Sequence, residues 1–211
     1  MGKCLIFCAG GFSEPAQPID RDDYILAADG GLTHLEKLGI CPHGIIGDFD
    51  SLGYVPEGAT VFPVEKDDTD SMLAVRKGLE LGYREFILYG AMDGPRLDHT
   101  IANLQTLCFL AEHGATGYLV GLGYMSTAIR EETILFPETA EGILSLFCFG
   151  SDAELTIHGT QYELEKGTLS AGFPLGVSNH FIGKTSDISV TEGTVLALFD
   201  RDVGFPERRP L

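Results

Sequence analysis

The sequence predicts an α/β protein, with an N-terminal Rossmann-like parallel-sheet domain followed by a smaller antiparallel β-sandwich domain. Up to Gly121, short apolar runs alternate with segments of helical periodicity, the order typical of a parallel α/β sheet. From Ser126 onward the helical periodicity ends, and short β-rich runs follow one another between turn residues. We therefore expect one domain over residues 1–125 and a second over residues 126–211.

The strands of the first domain are predicted where apolar residues follow one another with little interruption. Strands with this pattern are covered on both faces in a parallel sheet. They are predicted at residues 3–9, 24–28, 44–46, 60–63, 85–89 and 117–120. Since ligands bind at the carboxyl ends of such strands, the polar residues that follow them are the first candidates for a site.

The helices of the first domain are predicted between these strands, at residues 32–38, 71–81 and 98–113. Each is followed by a glycine, the residue that most readily takes the left-handed conformation that ends a helix. These glycines are Gly39, Gly82 and Gly114. Apolar residues recur at helical spacing in the third helix, which predicts that one of its faces packs in the core. They are Ile101, Leu104, Leu107, Cys108 and Ala111.

The second domain is predicted to contain only strands. They lie at residues 133–136, 143–147, 154–157, 162–164, 176–181, 187–190 and 195–199. The last segment, residues 205–211, carries two prolines and two arginines and is predicted to be an exposed end.

The charge balance excludes one class of partner. The chain has 14 Lys and Arg against 31 Asp and Glu, a formal net charge of −17. A nucleic-acid backbone requires a basic surface, so we expect no nucleic-acid partner.

No apolar stretch is long enough to span a membrane. The five cysteines are scattered and form no Cys-x-x-Cys pair, which favours buried thiols in a reducing cytoplasm.

Acidic clusters follow the predicted strands, and Asp48-Phe49-Asp50 is the most suggestive of them. In extended geometry the two carboxylates share one face, about 6.5 Å apart along the backbone, while Phe49 faces the core. Both carboxylates would then reach one metal ion or two neighbouring ions. The alternative is a solvated acidic loop, which is the usual role of Asp-rich turns.

A second cluster, residues 66–70, precedes the second predicted helix. Thr69 or Asp70 is expected to cap that helix, where negative charge is favourable. Capping accounts for one of these residues but not for three acids within four positions. The others are expected to face a metal ion, with Lys66 placed to touch phosphate.

A third cluster opens the last helix. Asp98 follows Arg96, a residue type that binds phosphate in a bidentate manner, and helix N-termini bind phosphate. His99 and Asn103 share one helical face, and each alone favours a surface or packing role. Together the clusters indicate a metal-dependent, phosphate-handling site with no protein nucleophile.

Five segments in this order resemble the thiamine pyrophosphokinase family: Ala28-Asp29-Gly30-Gly31, Gly47-Asp48-Phe49-Asp50-Ser51, Asp67-Asp68-Thr69-Asp70, the segment from Gly94 to Asn103, and Gly176-Val177-Ser178-Asn179. The resemblance implies transfer of a pyrophosphoryl group from ATP to the hydroxyl of thiamine, with release of AMP. It also implies a magnesium ion and a homodimer whose sites lie between subunits.

The resemblance also implies residue roles. The catalytic and metal-binding set would be Asp48, Asp50, Asp70 and Asp98. The ATP side would comprise Asp29, Gly30, Ser51, Lys66, Thr69, Arg96 and Asn103. Ser178 and Asn179 would contact thiamine, and Tyr162 would stand where the family has a tryptophan that stacks on the thiamine ring, since this chain has no Trp.

Two other functions remain open from the sequence. One is a diphosphokinase that acts on another hydroxymethyl heterocycle, such as a pterin. The other is a nucleotide-sensing module without catalysis, which would be expected to lack part of the acid set.

Overall fold

The structure is a computed structural model and describes residues 2–49, 54–61 and 68–211. The chain divides into two compact units. The first, here the α/β unit, comprises Met1–Thr106 and Gly114–Leu122. The second, here the β unit, comprises Leu107–His113 and Gly123–Leu211. The predicted fold class is confirmed, because the first unit contains parallel strands with helices and the second contains antiparallel strands.

The strands of the α/β unit are β1 (Cys4–Phe7), β2 (Tyr24–Ala28), β3 (Gly44–Gly47), β4 (Thr60–Val61), β5 (Glu85–Tyr89) and β6 (Thr116–Val120). They lie in the order β6-β5-β1-β2-β3-β4 and pair in parallel throughout. β1 is buried at every position, which explains its continuous apolar sequence. β2 and β5 have the predicted bounds, while β1 is shorter than predicted. Part of the fourth predicted strand, residues 62 and 63, lies outside the described residues.

The helices are α1 (Leu32–Leu38), α2 (Asp70–Glu80) and α3 (Leu97–Glu112). Their predicted glycine ends are confirmed, since φ is 67° at Gly39, 91° at Gly82 and 64° at Gly114. Across the parts of the chain that the structure describes, no helix is long and apolar enough to cross a membrane.

The core face of α3 shares Leu107 with the predicted one but is shifted around the helix. Ile101 is 45% exposed, whereas Asn103, Thr106, Leu107 and Leu110 are buried. This stripe is also helical in spacing, but half of it is polar, so apolar periodicity finds Leu107 and misses the polar members. The two polar members are accommodated by hydrogen bonds, among them one of 3.0 Å from Thr106 Oγ1 to the Ala102 carbonyl.

The strands of the β unit are β7 (Tyr124–Ile129), β8 (Glu132–Phe136), β9 (Ile143–Cys148), β10 (Ala153–His158), β11 (Leu164–Leu169), β12 (Asn179–His180), β13 (Ser186–Glu192), β14 (Val195–Asp200) and β15 (Glu207–Pro210). They form two antiparallel arrays, β12-β9-β14-β7 and β11-β10-β13-β8-β15. The Phe136 ring on β8 lies 5.1 Å from that of Phe199 on β14, so the arrays pack face to face as in a sandwich.

Two strand predictions for the second half are wrong. The strand predicted at 162–164 begins only at Leu164, and that predicted at 176–181 is reduced to Asn179–His180. A positive φ of 60° at Ser178 interrupts the extended backbone just before β12. The last segment is largely exposed, as predicted, but it also forms β15, which was not predicted, and pairs with β8, where Arg208 forms a salt bridge with Glu132. The sequence also did not predict β7, whose middle is polar.

Candidate functional site

A cavity of about 520 Å³ opens at the carboxyl ends of the parallel strands in the α/β unit. Its walls come from the segments that follow β1, β2, β3 and β5 and from the first turns of α2 and α3. Ligands bind at this position in open parallel sheets because loops from several strands converge there. The cavity is therefore where the predicted site residues of this unit should meet.

Many of those residues do meet there. The predicted site residues that line the cavity are Asp29, Asp48, Thr69, Asp70, Arg96 and Asn103. Asp68 and His99 line it as well. Asp50, Ser51 and Lys66 lie outside the described residues, so their predicted roles remain predictions.

Asp29 is held at the cavity by the tight turn between β2 and α1. Its φ is +48°, and the turn continues through Gly30 and Gly31. A Cβ atom on Gly31 would lie 1.8 Å from the Phe7 carbonyl oxygen, so only glycine fits beneath the end of β1. Close packing on β1 thus explains Gly31, and the turn presents Asp29 to the cavity.

The segment after β3 confirms one prediction and corrects another. Phe49 is 3% exposed and anchors the segment, as predicted. Its φ of +60° shows that the chain is not extended at this residue. Extended geometry therefore cannot be used to place the Asp50 carboxylate beside that of Asp48. Asp48 itself lines the cavity.

At the start of α2, one residue of the predicted cluster caps the helix and the others have different contacts. Thr69 is the N-cap, and its Oγ1 accepts a hydrogen bond of 3.2 Å from the Met72 N–H, as predicted. The Asp68 carboxylate, just before α2, forms a salt bridge of 2.8 Å with Nε of Arg76, in the middle of the helix. Asp70 is the first residue of α2 and lines the cavity at the positive end of the helix.

Arg96 and Asp98 bind each other at the start of α3. Arg96 donates to both carboxylate oxygens of Asp98, from Nε at 3.0 Å and from Nη2 at 2.6 Å. The hydrogen bonds from Arg96 lower the pKa of Asp98 to about 2, so this carboxylate is charged at neutral pH. Their side chains are 65% and 63% exposed, and such exposed pairs exchange partners at little cost. Arg96 can therefore transfer a donor to a phosphate oxygen.

Asn103 lines the cavity, and both polar atoms of its side chain are hydrogen-bonded within the protein. It is 5% exposed, its Oδ1 accepts from Ser71 Oγ at 2.6 Å, and its Nδ2 donates to the Ala91 carbonyl at 2.7 Å. Sequence reasoning missed Ser71, because nothing local marks a contact across 32 residues. It also missed His34, whose Nε2 lies 2.9 Å from the Gly10 carbonyl oxygen at the cavity wall.

The donors at the cavity suit a hard cation carrying phosphate. Within residues 2–49, 54–61 and 68–211, no group of three or more Asp, Glu, His and Cys side chains would hold a metal ion unaided. Magnesium does not require such a group, because it is usually bound by one or two carboxylates with phosphate oxygens and water. Asp48 and Asp70, which line one cavity, fit this mode of binding.

In the β unit the structure brings Asn179 and Tyr162 together. Asn179 Oδ1 accepts from the Tyr162 N–H at 3.0 Å, and its Nδ2 donates to the Tyr162 carbonyl at 2.7 Å and to Thr160 Oγ1 at 2.9 Å. Asn179 is buried, whereas the neighbouring Ser178 is exposed. Tyr162 is 62% exposed, so its ring is accessible to a ligand.

Two family models match the chain. The thiamin pyrophosphokinase catalytic domain matches residues 16–119, and the thiamin pyrophosphokinase vitamin B1 binding domain matches residues 131–195. The chain belongs to the thiamin pyrophosphokinase family. Members of this family transfer a pyrophosphoryl group from ATP to thiamine, so the family and the enzyme class predicted from the sequence are confirmed.

Individual relatives agree with this assignment. The thiamine pyrophosphokinase of Bacillus subtilis is 26% identical over 200 residues, which cover 87% of this chain and 90% of the relative. Its crystal structure has a TM-score of 0.78 at 24% identity and covers 94% of this chain and 99% of its own. The yeast thiamin pyrophosphokinase, at 16% identity, has a TM-score of 0.72 and covers 96% of this chain and 88% of its own. At these identities the two structures establish the fold.

Proposed function

We propose that this chain binds ATP with magnesium in the cavity of the α/β unit and transfers its pyrophosphoryl group to the hydroxyl of thiamine. The products are thiamine diphosphate and AMP. The observation that carries the proposal is the convergence of Asp29, Asp48 and Asp70 with Arg96 in one cavity at the strand ends. Carboxylates so placed repel one another unless a cation lies among them, and ATP brings such a cation.

The metal ligands in this proposal are Asp48 and Asp70, joined by Asp50 and Asp98. When bound, magnesium neutralises the ATP phosphates and polarises the phosphorus that is attacked. The hydrogen bonds from Arg96 lower the pKa of Asp98, so Asp98 brings a negative charge to the metal and phosphate site. Arg96 exchanges part of its bond with Asp98 for a phosphate oxygen, and Asp29, Gly30, Ser51, Lys66, Thr69 and Asn103 belong to the nucleotide side.

Thiamine is contacted by the β unit. The exposed ring of Tyr162 offers an aromatic face to the thiamine ring, and Ser178 lies next to the Asn179 that holds the Tyr162 backbone. Thiamine is a cation, so the acidic cavity attracts it. The active form in this proposal is a homodimer in which the α/β unit of one subunit and the β unit of its partner form each site.

The decisive assay supplies the purified protein with ATP, magnesium and thiamine and quantifies thiamine diphosphate and AMP. We expect equal amounts of both products, with none when thiamine is omitted or EDTA is added. A parallel reaction replaces thiamine with a hydroxymethylpterin. If only the hydroxymethylpterin gives product, the pterin and not thiamine is the acceptor. If the protein binds ATP but releases no AMP with either acceptor, the result supports a sensing module.

Mixing two inactive variants tests the shared site. Asp98→Asn removes a group from the α/β unit and Tyr162→Ala removes one from the β unit. If each site uses both subunits, mixed dimers contain one intact site, and random exchange restores about a quarter of the original activity. Absence of any recovery, with subunit exchange verified by mass spectrometry, would contradict a site formed between subunits.

A further inference from the structure

We propose that Ser71 and Asn103 are positioning residues that hold the first turn of α2, and with it Asp70, in the geometry that binds magnesium and ATP. The inference rests on the proposed function for the identity of the ligand. It gives Asn103, which lines the cavity together with Ser71, a role that acts through Asp70 in addition to its place on the nucleotide side.

A chain of hydrogen bonds joins three walls of the cavity. Thr69 Oγ1 lies 3.0 Å from Ser71 Oγ, and Ser71 Oγ donates to Asn103 Oδ1 at 2.6 Å. Asn103 Nδ2 then donates to the Ala91 carbonyl at 2.7 Å. The chain therefore links the start of α2, the body of α3 and the segment that follows β5.

The burial of these groups makes the link hard to rearrange. Ser71 is 8% exposed and Asn103 is 5% exposed, so water has little access to replace a lost partner. A buried polar group left without its partner is costly, and bonded groups in such a chain reinforce one another. By contrast, the exposed pair of Arg96 and Asp98 exchanges partners easily.

The link matters for Asp70 because of its place in the helix. Asp70 lies between Thr69, the N-cap of α2, and Ser71, its second residue, both of which belong to the chain of bonds, and Asp70 lines the cavity. Rotation or lifting of this first turn would move the Asp70 carboxylate relative to Asp48. Groups that orient a metal ligand from behind usually change metal affinity or activity by about 10–100-fold when they are removed.

The test is Ser71→Ala, which removes the central hydroxyl and leaves Asp70 and Asn103 in place. Calorimetric titration with ATP in the presence of magnesium chloride should give a dissociation constant raised about 10-fold, and the magnesium concentration for half-maximal binding should rise as well. Thermal unfolding of every variant is recorded so that binding is measured only on folded protein. Ser71→Ala combined with Asn103→Ala should weaken binding no more than Asn103→Ala alone, because both break one chain.

Thr106→Ala is the matched control. Thr106 is buried on the same helix, but its hydroxyl donates to Ala102 within α3 and does not join the link. It should lower the unfolding temperature and leave ATP and magnesium binding unchanged. Unchanged binding in folded Ser71→Ala, or an equal loss in Thr106→Ala, would overturn the positioning role.

The binding readout separates this inference from the proposed function. If the original protein binds ATP with magnesium but does not modify thiamine, the proposed reaction fails while the role of Ser71 is still decided by the titration. If the original protein does not bind ATP, both proposals are wrong.

Discussion

The beginning of α3 and the loop around Asn179 were both predicted to contact substrate, yet they are built from opposite kinds of contact. Arg96 and Asp98 are charged, exposed and paired with each other. Asn179 is neutral and buried, and its amide oxygen and nitrogen each make two hydrogen bonds, including one from the His180 N–H. An exposed ion pair exchanges partners at little cost, whereas a saturated buried amide does not. We infer that Asp98 interacts with the ligand, whereas Asn179 stabilises the loop that carries Tyr162.

The largest expected effect comes from Asp98→Asn, which keeps the shape of the side chain and removes its charge. Turnover should fall at least about 100-fold, because a charge that stabilises the metal–phosphate group is lost. The thermal unfolding midpoint should stay nearly constant, since the side chain is exposed. Both are measured on the same preparation.

Glu112→Gln is the matched control for this change. It removes an exposed acid at the other end of α3, away from the lining of the cavity. Its turnover should equal that of the original protein. Normal turnover in Asp98→Asn would remove Asp98 from the site, and a large fall in the unfolding midpoint would show that Asp98 is structural.

Asn179→Ala should have the opposite profile. It leaves the Tyr162 N–H, the Tyr162 carbonyl and Thr160 Oγ1 without their shared partner, which should reduce the free energy of unfolding by about 2–3 kcal/mol. Because the loop then no longer holds the Tyr162 ring, KM for thiamine should rise while KM for ATP changes little. Denaturant unfolding and steady-state kinetics measure the two effects.

Ser178→Ala serves as the stability control for Asn179, since Ser178 is exposed and immediately precedes it. It should leave the free energy of unfolding unchanged. If Asn179→Ala raises KM for thiamine without lowering stability, Asn179 contacts the substrate directly and the contrast with Asp98 disappears.

The sequence predicted the parts of the fold that depend on local pattern. The bounds of β2 and β5 and the glycine ends of the helices follow from neighbouring residues alone. The predictions fail where the local structure depends on residues that are distant in the sequence. β15 exists because β8 offers it a free edge, and an arginine tail with no apolar alternation carries no local sign of that pairing. The buried face of α3 was predicted only in part, at Leu107, because polar residues form half of it.

The site shows the same difference between features that a local pattern predicts and features that depend on distant partners. Strand-end position together with the family resemblance predicted that Asp29, Asp48 and Asp70 belong to one site, and they line one cavity. The partner of each polar group was not predictable. Asp68 binds Arg76, and Asn103 binds Ser71, through side-chain geometry that residue spacing does not encode.

The smallest expected effect tests whether a polar residue contributes to stability according to its exposure, independently of the unit in which it lies. His158 on β10 lies in the β unit like Asn179, but its side chain is 48% exposed. Its Nε2 is 3.0 Å from Glu165 on β11 and its Nδ1 is 3.3 Å from Asp187 on β13. These two carboxylates raise the pKa of His158 above its ordinary value.

A raised pKa in the folded state means that folding favours the protonated imidazole. The resulting stabilisation is complete below the unfolded pKa of about 6.5 and disappears as the pH rises through the folded pKa. Stability should therefore decline slightly on going from pH 6 to pH 8, and His158→Gln should remove that part of the decline. Urea unfolding at several pH values, with Asp98→Asn as a control that leaves the slope unchanged, measures it. A steep decline that depends on His158 would show that an exposed cluster can stabilise the fold as strongly as the buried Asn179. The contrast between exposed and buried polar groups would then be wrong.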